Sequence, residues 1–235
     1  MRRLLIAALS LVLSAVALGA APPALAAGTP PDPVVFVHGA NADPGVWGEM
    51  RADFVRAGYP EDRLAAWSYD TRQSTNEVLS GLLSSYVDAV LARTGASRVD
   101  IVAHSLGSLP SRWYVKFGGG ADKVGHWASL AGPNHGTTTA WVCALWNQAC
   151  KDMTPGSYVL TRLNSGDETP GTTRYGTWSS PCDGVIVPVS STELAGAVNT
   201  RAEGCPTHNG LLTDDTVSRQ VRAFLARPRG VSGSA

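Results

Sequence analysis

The stretch from Val99 to Gly107 constrains this chain most. An apolar run, Val99, Ile101, Val102 and Ala103, leads directly into His104-Ser105-Leu106-Gly107. A short β-branched run bounded by a turn signal has the pattern of a strand buried on both faces of a parallel sheet. The serine at its end has alanine two places before it and glycine two places after it. A hydroxyl raised on a sharp strand-to-helix turn needs residues that small on either side, because larger side chains would collide there. The pattern is G-x-S-x-G with alanine in the first position, which marks Ser105 as a candidate nucleophile. Read alone, the same residues also describe a strand followed by a helix-capping serine.

The surrounding chain supplies an alternation of strand and helix patterns. Val34 to Val37 reads as a second buried strand, and it empties into His38-Gly39-Ala40-Asn41. A helix follows from Trp47 to Ala57, with Trp47, Met50, Phe54 and Val55 at helical spacing and Gly58 as its left-handed end. Leu64 to Trp67 is a short strand. A longer helix capped by Ser74 or Thr75 carries Val78, Leu82, Leu83, Tyr86, Val87, Val90 and Leu91 as one apolar stripe and ends at Gly95. The helix after Ser105 is expected to reach Phe117, with Pro110 tolerated in its first turn. His126 to Leu130 is the next strand. Such alternation builds a parallel sheet through right-handed crossovers, so the expected class is α/β, a mostly parallel central sheet flanked by helices on both faces.

The alternation stops at Pro133-Asn134-His135-Gly136 and resumes near Thr173. Residues 137–172 therefore read as an insertion, holding Trp141, Val142, Leu145 and Trp146 and a short helix near Ser157 to Leu163. Those four apolar residues are candidates to line an acyl groove or its rim. Arg174 to Trp178 restores a strand, Gly184 to Val189 and Ala197 to Ala202 read as shorter ones, and Asp214 to Ala226 is an amphipathic closing helix. The tail beyond Arg227 reads as frayed.

The first residues bound the compartment. Met1-Arg2-Arg3, an apolar run from Leu4 to Ala21 and Ala24-Leu25-Ala26 have the form of a secretory signal peptide over residues 1–27, leaving one domain from residue 28 to 235. The chain has 19 basic and 19 acidic side chains, and loss of Arg2 and Arg3 with the leader makes it mildly acidic. That balance gives no reason to expect a nucleic-acid partner. No later apolar stretch is long enough for an integral membrane span, and a monomer is expected. Four cysteines in an exported chain argue for two disulfides. Of three possible pairings, Cys143 with Cys150 and Cys182 with Cys205 is favoured, since each would staple one irregular segment. A zinc site is the weaker reading, because no C-x-x-C pair is present.

A serine hydroxyl needs an imidazole as base and a carboxylate to hold that imidazole in the right tautomer. In a fold of this class the order is serine, acid, histidine, and of five histidines only His208 lies beyond the candidate acids. Asp183, in a turn after the Arg174 strand, leads among the acids; Asp167, Glu193 and Glu203 remain rivals. Backbone N–H groups for a developing oxyanion are expected at Leu106, directly after the serine, and at Ala40, after His38-Gly39. His38 and His135 read as loop architecture, His126 as an ordinary strand residue, and His104 as an elbow residue pointing away from substrate.

These residues resemble those of secreted bacterial lipases of the α/β-hydrolase superfamily, close to the Bacillus lipase A group and related actinobacterial lipases. The resemblance rests on Val34-Val35-Phe36-Val37-His38-Gly39, Ala103-His104-Ser105-Leu106-Gly107, Tyr114-Val115-Lys116 with Gly119 to Val124, and His208-Asn209-Gly210-Leu211-Leu212. It implies Ser105, Asp183 and His208 as nucleophile, acid and base, with Ala40 and Leu106 as oxyanion donors. The implied activity is hydrolysis of an ester or lipid substrate, a triacylglycerol above all, at a lipid-water interface, through an acyl-serine and without metal or organic cofactor. The same machinery also suits a short-chain esterase, a polyester hydrolase or an acyltransferase, and the fold alone would suit a non-catalytic binding protein. The resemblance weakens between Thr137 and Thr172, so it carries over neither a lid nor its absence.

Overall fold

Valine, isoleucine and phenylalanine at alternating positions send their side chains to opposite faces of a strand, and in this chain both faces are apolar. The computed structural model describes residues 30–72 and 75–228; the expected leader, Ser74 and the end of the expected tail lie outside the described residues. Strands β1 (Val34–Val37), β2 (Leu64–Trp67), β3 (Val99–His104), β4 (Val124–Leu130), β5 (Arg174–Ser179) and β6 (Val198–Arg201) form one sheet in the order β2-β1-β3-β4-β5-β6. Every neighbouring pair is parallel. The class read from the alternation is the one observed.

Strands β1 to β5 divide their side chains between two cores. Val34 and Phe36 of β1 and Val102 of β3 pack with helices α1 (Gly48–Arg56) and α6 (Asp215–Leu225), through Met50, Phe54, Val217 and Val221. Val35 and Val37, with Ile101 and Ala103, pack on the other face against α2 (Asn76–Thr94) and α3 (Ser108–Phe117), through Leu83, Val87, Tyr114 and Val115. β1, β3 and β4 are buried throughout, as a sheet covered on both faces requires. β6 is the sheet edge and is mostly exposed.

Three sequence expectations are corrected. The inward face of α2 runs through Asn76, Leu79, Ser80, Leu83, Val87 and Val90, whereas Val78 and Leu82 of the expected stripe are more than half exposed. At about 100° per residue that face turns one position away from the one that Val78 and Leu82 would have set. Val55 likewise faces outward from α1 while Met50 and Phe54 are buried. The expected strand from Gly184 to Val189 is a turn, followed by a single 3₁₀ turn over Val189–Thr192. Its backbone groups are claimed elsewhere: the N–H groups of Val185 and Ile186 donate to Asp183, and Val187 N–H donates to the Thr137 hydroxyl. A strand needs those groups free for a neighbour.

Thr75 caps α2 through its side chain, and Gly95 closes it at φ 65°. The insertion contains the expected short helix, α5 (Tyr158–Leu163), and one the sequence reading did not place, α4 (Gln148–Met153), capped by the Asn147 side chain. Both contribute to a third apolar cluster, in which Met153, Leu160 and Leu163 pack on Leu106 and Leu109 beyond the end of β3. The cysteines are joined as Cys143–Cys150 and Cys182–Cys205.

Candidate active site

In a parallel sheet all strands end at one edge, and loops from several strands converge there. The loops after β1, β3, β5 and β6 carry Ala40, Ser105, Asp183 and His208 in turn. The chain order reverses between β1 and β3, since β2 lies outside β1 and everything later lies beyond β3. Ser105 is thus at the switch point of the sheet.

Ser105 sits at φ 52°, in the left-handed region that a residue with a Cβ adopts only under constraint. The constraint is visible in the neighbouring glycines. A Cβ on Gly107 would lie 2.5 Å from the carbonyl oxygen of His38 and 2.6 Å from that of Val37, and one on Gly39 would lie 2.9 Å from the Ser105 Cβ. β1 and the serine turn therefore pass each other at a distance only hydrogen allows. Gly107 is small for that reason, as the spacing argument expected.

Asp183 and His208 form a buried hydrogen-bonded pair. His208 Nδ1 lies 2.8 Å from Asp183 Oδ2, and both side chains are almost fully buried. The other carboxylate oxygen, Oδ1, accepts the N–H groups of Val185 at 2.8 Å and Ile186 at 2.9 Å. Burial by itself would push this carboxyl up. The hydrogen bonds from His208 and from the two backbone amides outweigh it and hold Asp183 below the usual carboxylate range. An ionised carboxylate only accepts, so Nδ1 carries the imidazole proton and Nε2 is left as an acceptor. That is the tautomer a general base needs.

Two covalent and polar ties join the loops that bear this pair. Cys182 and Cys205 bridge them, and the Ser180 hydroxyl donates to the carbonyl of Pro206 at 2.5 Å. The rival acids stand apart: Asp167, Glu193 and Glu203 are exposed, whereas Asp183 is buried against His208.

Ser105 and His208 share the wall of a cavity of about 720 Å³, which Ala40, Ala140, Met153 and Ile186 also line. Its lining mixes apolar side chains with polar ones, among them Asn41, Thr137, Thr139 and Asn209. Leu106 is buried directly after the serine turn. Of the candidate groove residues, Trp141, Val142, Leu145 and Trp146 line none of this cavity; Cys143 and Cys150 do. Among the described residues no cluster of three His, Cys, Asp or Glu side chains could hold a metal ion.

The remaining histidines divide differently from expectation. His104 does not point away: it lines the cavity, its ring centroid is 4.7 Å from that of His208, and its Nε2 donates to the His208 carbonyl at 3.1 Å. Burial, reinforced by the neighbouring His208, lowers its pKa to about 3, so it stays neutral. Its place next to the serine in the elbow was the one sequence signal for this contact. His126 is more than a strand residue, since its Nδ1 and its backbone N–H both lie 2.9 Å from Oδ1 of the buried Asp100. His38 shapes its loop by stacking on Tyr69 at 4.3 Å. His135 is tied to Glu168 at 2.8 Å, outside the cavity.

With this geometry in hand, comparison with known proteins gives a consistent result. Residues 31–218 match the family model described as lipase (class 2). The fold is similar to the mature form of the lipase BlEst2 of Bacillus licheniformis, with a TM-score of 0.71 at 17% identity over 84% of this chain and 94% of that one. It is also similar to lipase B of Aspergillus fumigatus, with a TM-score of 0.72 at 18% identity, over 85% of this chain and 53% of that one. At such identities the structural matches speak for the fold alone.

Proposed function

The chain belongs to the class 2 lipase family, bacterial lipolytic hydrolases of the α/β-hydrolase superfamily, and from that premise we propose that it is an exported serine carboxylic-ester hydrolase acting on acylglycerols. The observation that carries the proposal is the 2.8 Å contact between His208 Nδ1 and Asp183 Oδ2, on the wall of the cavity that also holds Ser105 at its left-handed φ. Residues 1–27 are its secretory leader, and the catalytic domain begins at residue 28. Two disulfides suit an oxidising compartment.

In the proposed cycle the Ser105 hydroxyl attacks the ester carbonyl as His208 Nε2 removes its proton. The carbonyl oxygen becomes an oxyanion, received by the backbone N–H groups of Leu106 and Ala40. Collapse breaks the bond to the alcohol, which leaves with the proton carried by His208, and the acyl group stays on Ser105 Oγ. Water then adds to the acyl-enzyme with His208 again as base, releasing the acid and restoring the serine. Asp183 remains ionised throughout and stabilises the imidazolium of each step. The cavity volume suits an acyl chain, and its buried apolar wall favours apolar esters over charged ones.

The test is labelling by a fluorophosphonate, followed by initial rates on emulsified long-chain triacylglycerol and on a short-chain p-nitrophenyl ester. Labelling confined to Ser105 and turnover of both substrates are expected, with both largely lost in His208→Ala. Turnover of the soluble ester without the emulsion would reassign the protein as an esterase. Absence of labelling in the folded protein would refute the nucleophile.

A further inference from the structure

Segment 140–153 forms a wall whose two faces differ. Ala140, Cys143, Cys150 and Met153 face the reactive cavity. Trp141, Val142, Leu145 and Trp146 face outward and are 60, 76, 92 and 74% exposed. Two indoles, a leucine and a valine within six residues are an apolar crest that a water-facing loop has no use for. Tyr158, 66% exposed, extends it beside a groove lined by Trp141, Leu145 and Trp146.

The wall is bolted at both ends. Cys143 and Cys150 close its tip into a covalent loop. At one root, Thr137 N–H donates to the Met153 carbonyl, Thr138 N–H to the Val187 carbonyl and the Thr139 hydroxyl to the Val185 carbonyl. At the other, the buried Asp152 carboxylate accepts the backbone N–H of Asn76 at 3.0 Å and its side-chain amide at 2.7 Å, pinning α4 to the start of α2. Swinging this wall aside would break the hydrogen bonds to Val185, Val187 and Asn76 and expose the cluster around Leu106 and Leu109.

We propose that the crest formed by Trp141, Val142, Leu145 and Trp146 is a fixed adsorption surface for uncharged lipid, always exposed, which sets the mouth of the reactive cavity against the lipid phase without any lid movement. The proposal rests on the hydrolase reading given above and names how its substrate is met. Tryptophan at such a crest suits the boundary between water and acyl chains. Charge favours a neutral surface: with Asp152 buried, the adjoining groove carries Arg72 and Lys151 against Glu77, a single excess cation where recognition of anionic headgroups takes a cluster of several. A second copy of the chain fits poorly, because the four crest residues together with Tyr158 fall far short of the roughly 20–30 residues a side in a stable protein interface.

The experiment uses the full mature protein carrying Ser105→Ala, so that binding is read without turnover. Partition onto phosphatidylcholine vesicles containing triolein is measured by sedimentation and by the blue shift of tryptophan emission. The proposal expects adsorption that is no stronger on phosphatidylserine-rich vesicles and that falls at least tenfold on adding Trp141→Ser with Leu145→Ser. An unchanged midpoint of urea unfolding establishes that this variant is folded. Equal adsorption by parent and variant overturns the proposal, as does a dimer in sedimentation equilibrium that the same substitutions dissolve. Separately, the wild-type rate on a water-soluble short-chain ester is followed as the vesicles are added. No rise is expected, and a tenfold rise would show a lid opening and overturn the fixed crest. If that ester is not hydrolysed at all, the proposed function fails while the binding result stands by itself.

Discussion

Replacing Asp183 by asparagine changes one atom, and the structure dictates how the amide will turn. Oδ1 sits between two backbone donors, the N–H groups of Val185 and Ile186, at 2.8 and 2.9 Å. The amide nitrogen cannot occupy that position without setting donor against donor. A buried unmade hydrogen bond costs about 1–3 kcal/mol, so two of them fix the carbonyl oxygen there. The NH₂ group is then directed at His208 Nδ1, 2.8 Å away, where it must donate. Nδ1 becomes the acceptor and the proton moves to Nε2, the atom that has to take the serine proton. The base is lost through its tautomer while its position is kept. Loss of an ionised partner of this kind costs about four orders of magnitude in kcat, or about 5 kcal/mol of transition-state stabilisation. Steady-state hydrolysis of a soluble p-nitrophenyl ester measures it, with KM expected to change little because the cavity wall is unaltered. A fall of less than tenfold in kcat, in protein with native unfolding behaviour, would refute the orientation argument and with it the assignment of Asp183.

The same carboxylate should appear in stability. Its folded pKa lies below the ordinary value of 3.8, so it stabilises the fold above that value and the contribution is lost as pH falls from there through the folded pKa. Urea unfolding of the wild type should therefore weaken more steeply below pH 3.8 than that of Asp183→Asn, and parallel curves would contradict the linkage. Gly107→Ala should cost about 1–3 kcal/mol and most activity, because its Cβ meets two backbone carbonyls that cannot give way; a neutral effect by thermal unfolding and ester assay would show that the elbow has slack. Removing the Cys182–Cys205 bond, which spans 23 residues, should lower stability by up to about 3 kcal/mol and reduce kcat beyond what fold loss explains. Unchanged kcat at a temperature where the variant is folded would separate that bond from the site. His104→Gln, which can still donate to the His208 carbonyl, should retain far more kcat than His104→Ala, with KM similar in both. If the two variants are equally impaired, His104 fills space only.

What the sequence determined by itself follows from local rules. The alternation of buried strands and helices, the serine turn and its glycine, and the placement of a histidine after the last strand are all read from spacing, because periodicity and steric size act over a few residues. Asp183 could be ranked above Asp167, Glu193 and Glu203 from its strand-turn setting, but only the tertiary structure seats it against His208 with two amides behind it. The stripe on α2 failed at Val78 and Leu82 because an apolar residue does not announce which of two adjacent helical faces meets the sheet. The strand expected at Gly184 to Val189 failed because its backbone groups are taken by Asp183 and by Thr137, the latter some fifty residues away. His104 was misjudged for the same reason: its partner is a carbonyl 104 residues later in the chain. Long-range hydrogen bonds leave no periodic trace in a sequence, and in this protein they decide the tautomer of His208, the contact between His104 and the His208 carbonyl, and the anchoring of the wall beside the cavity.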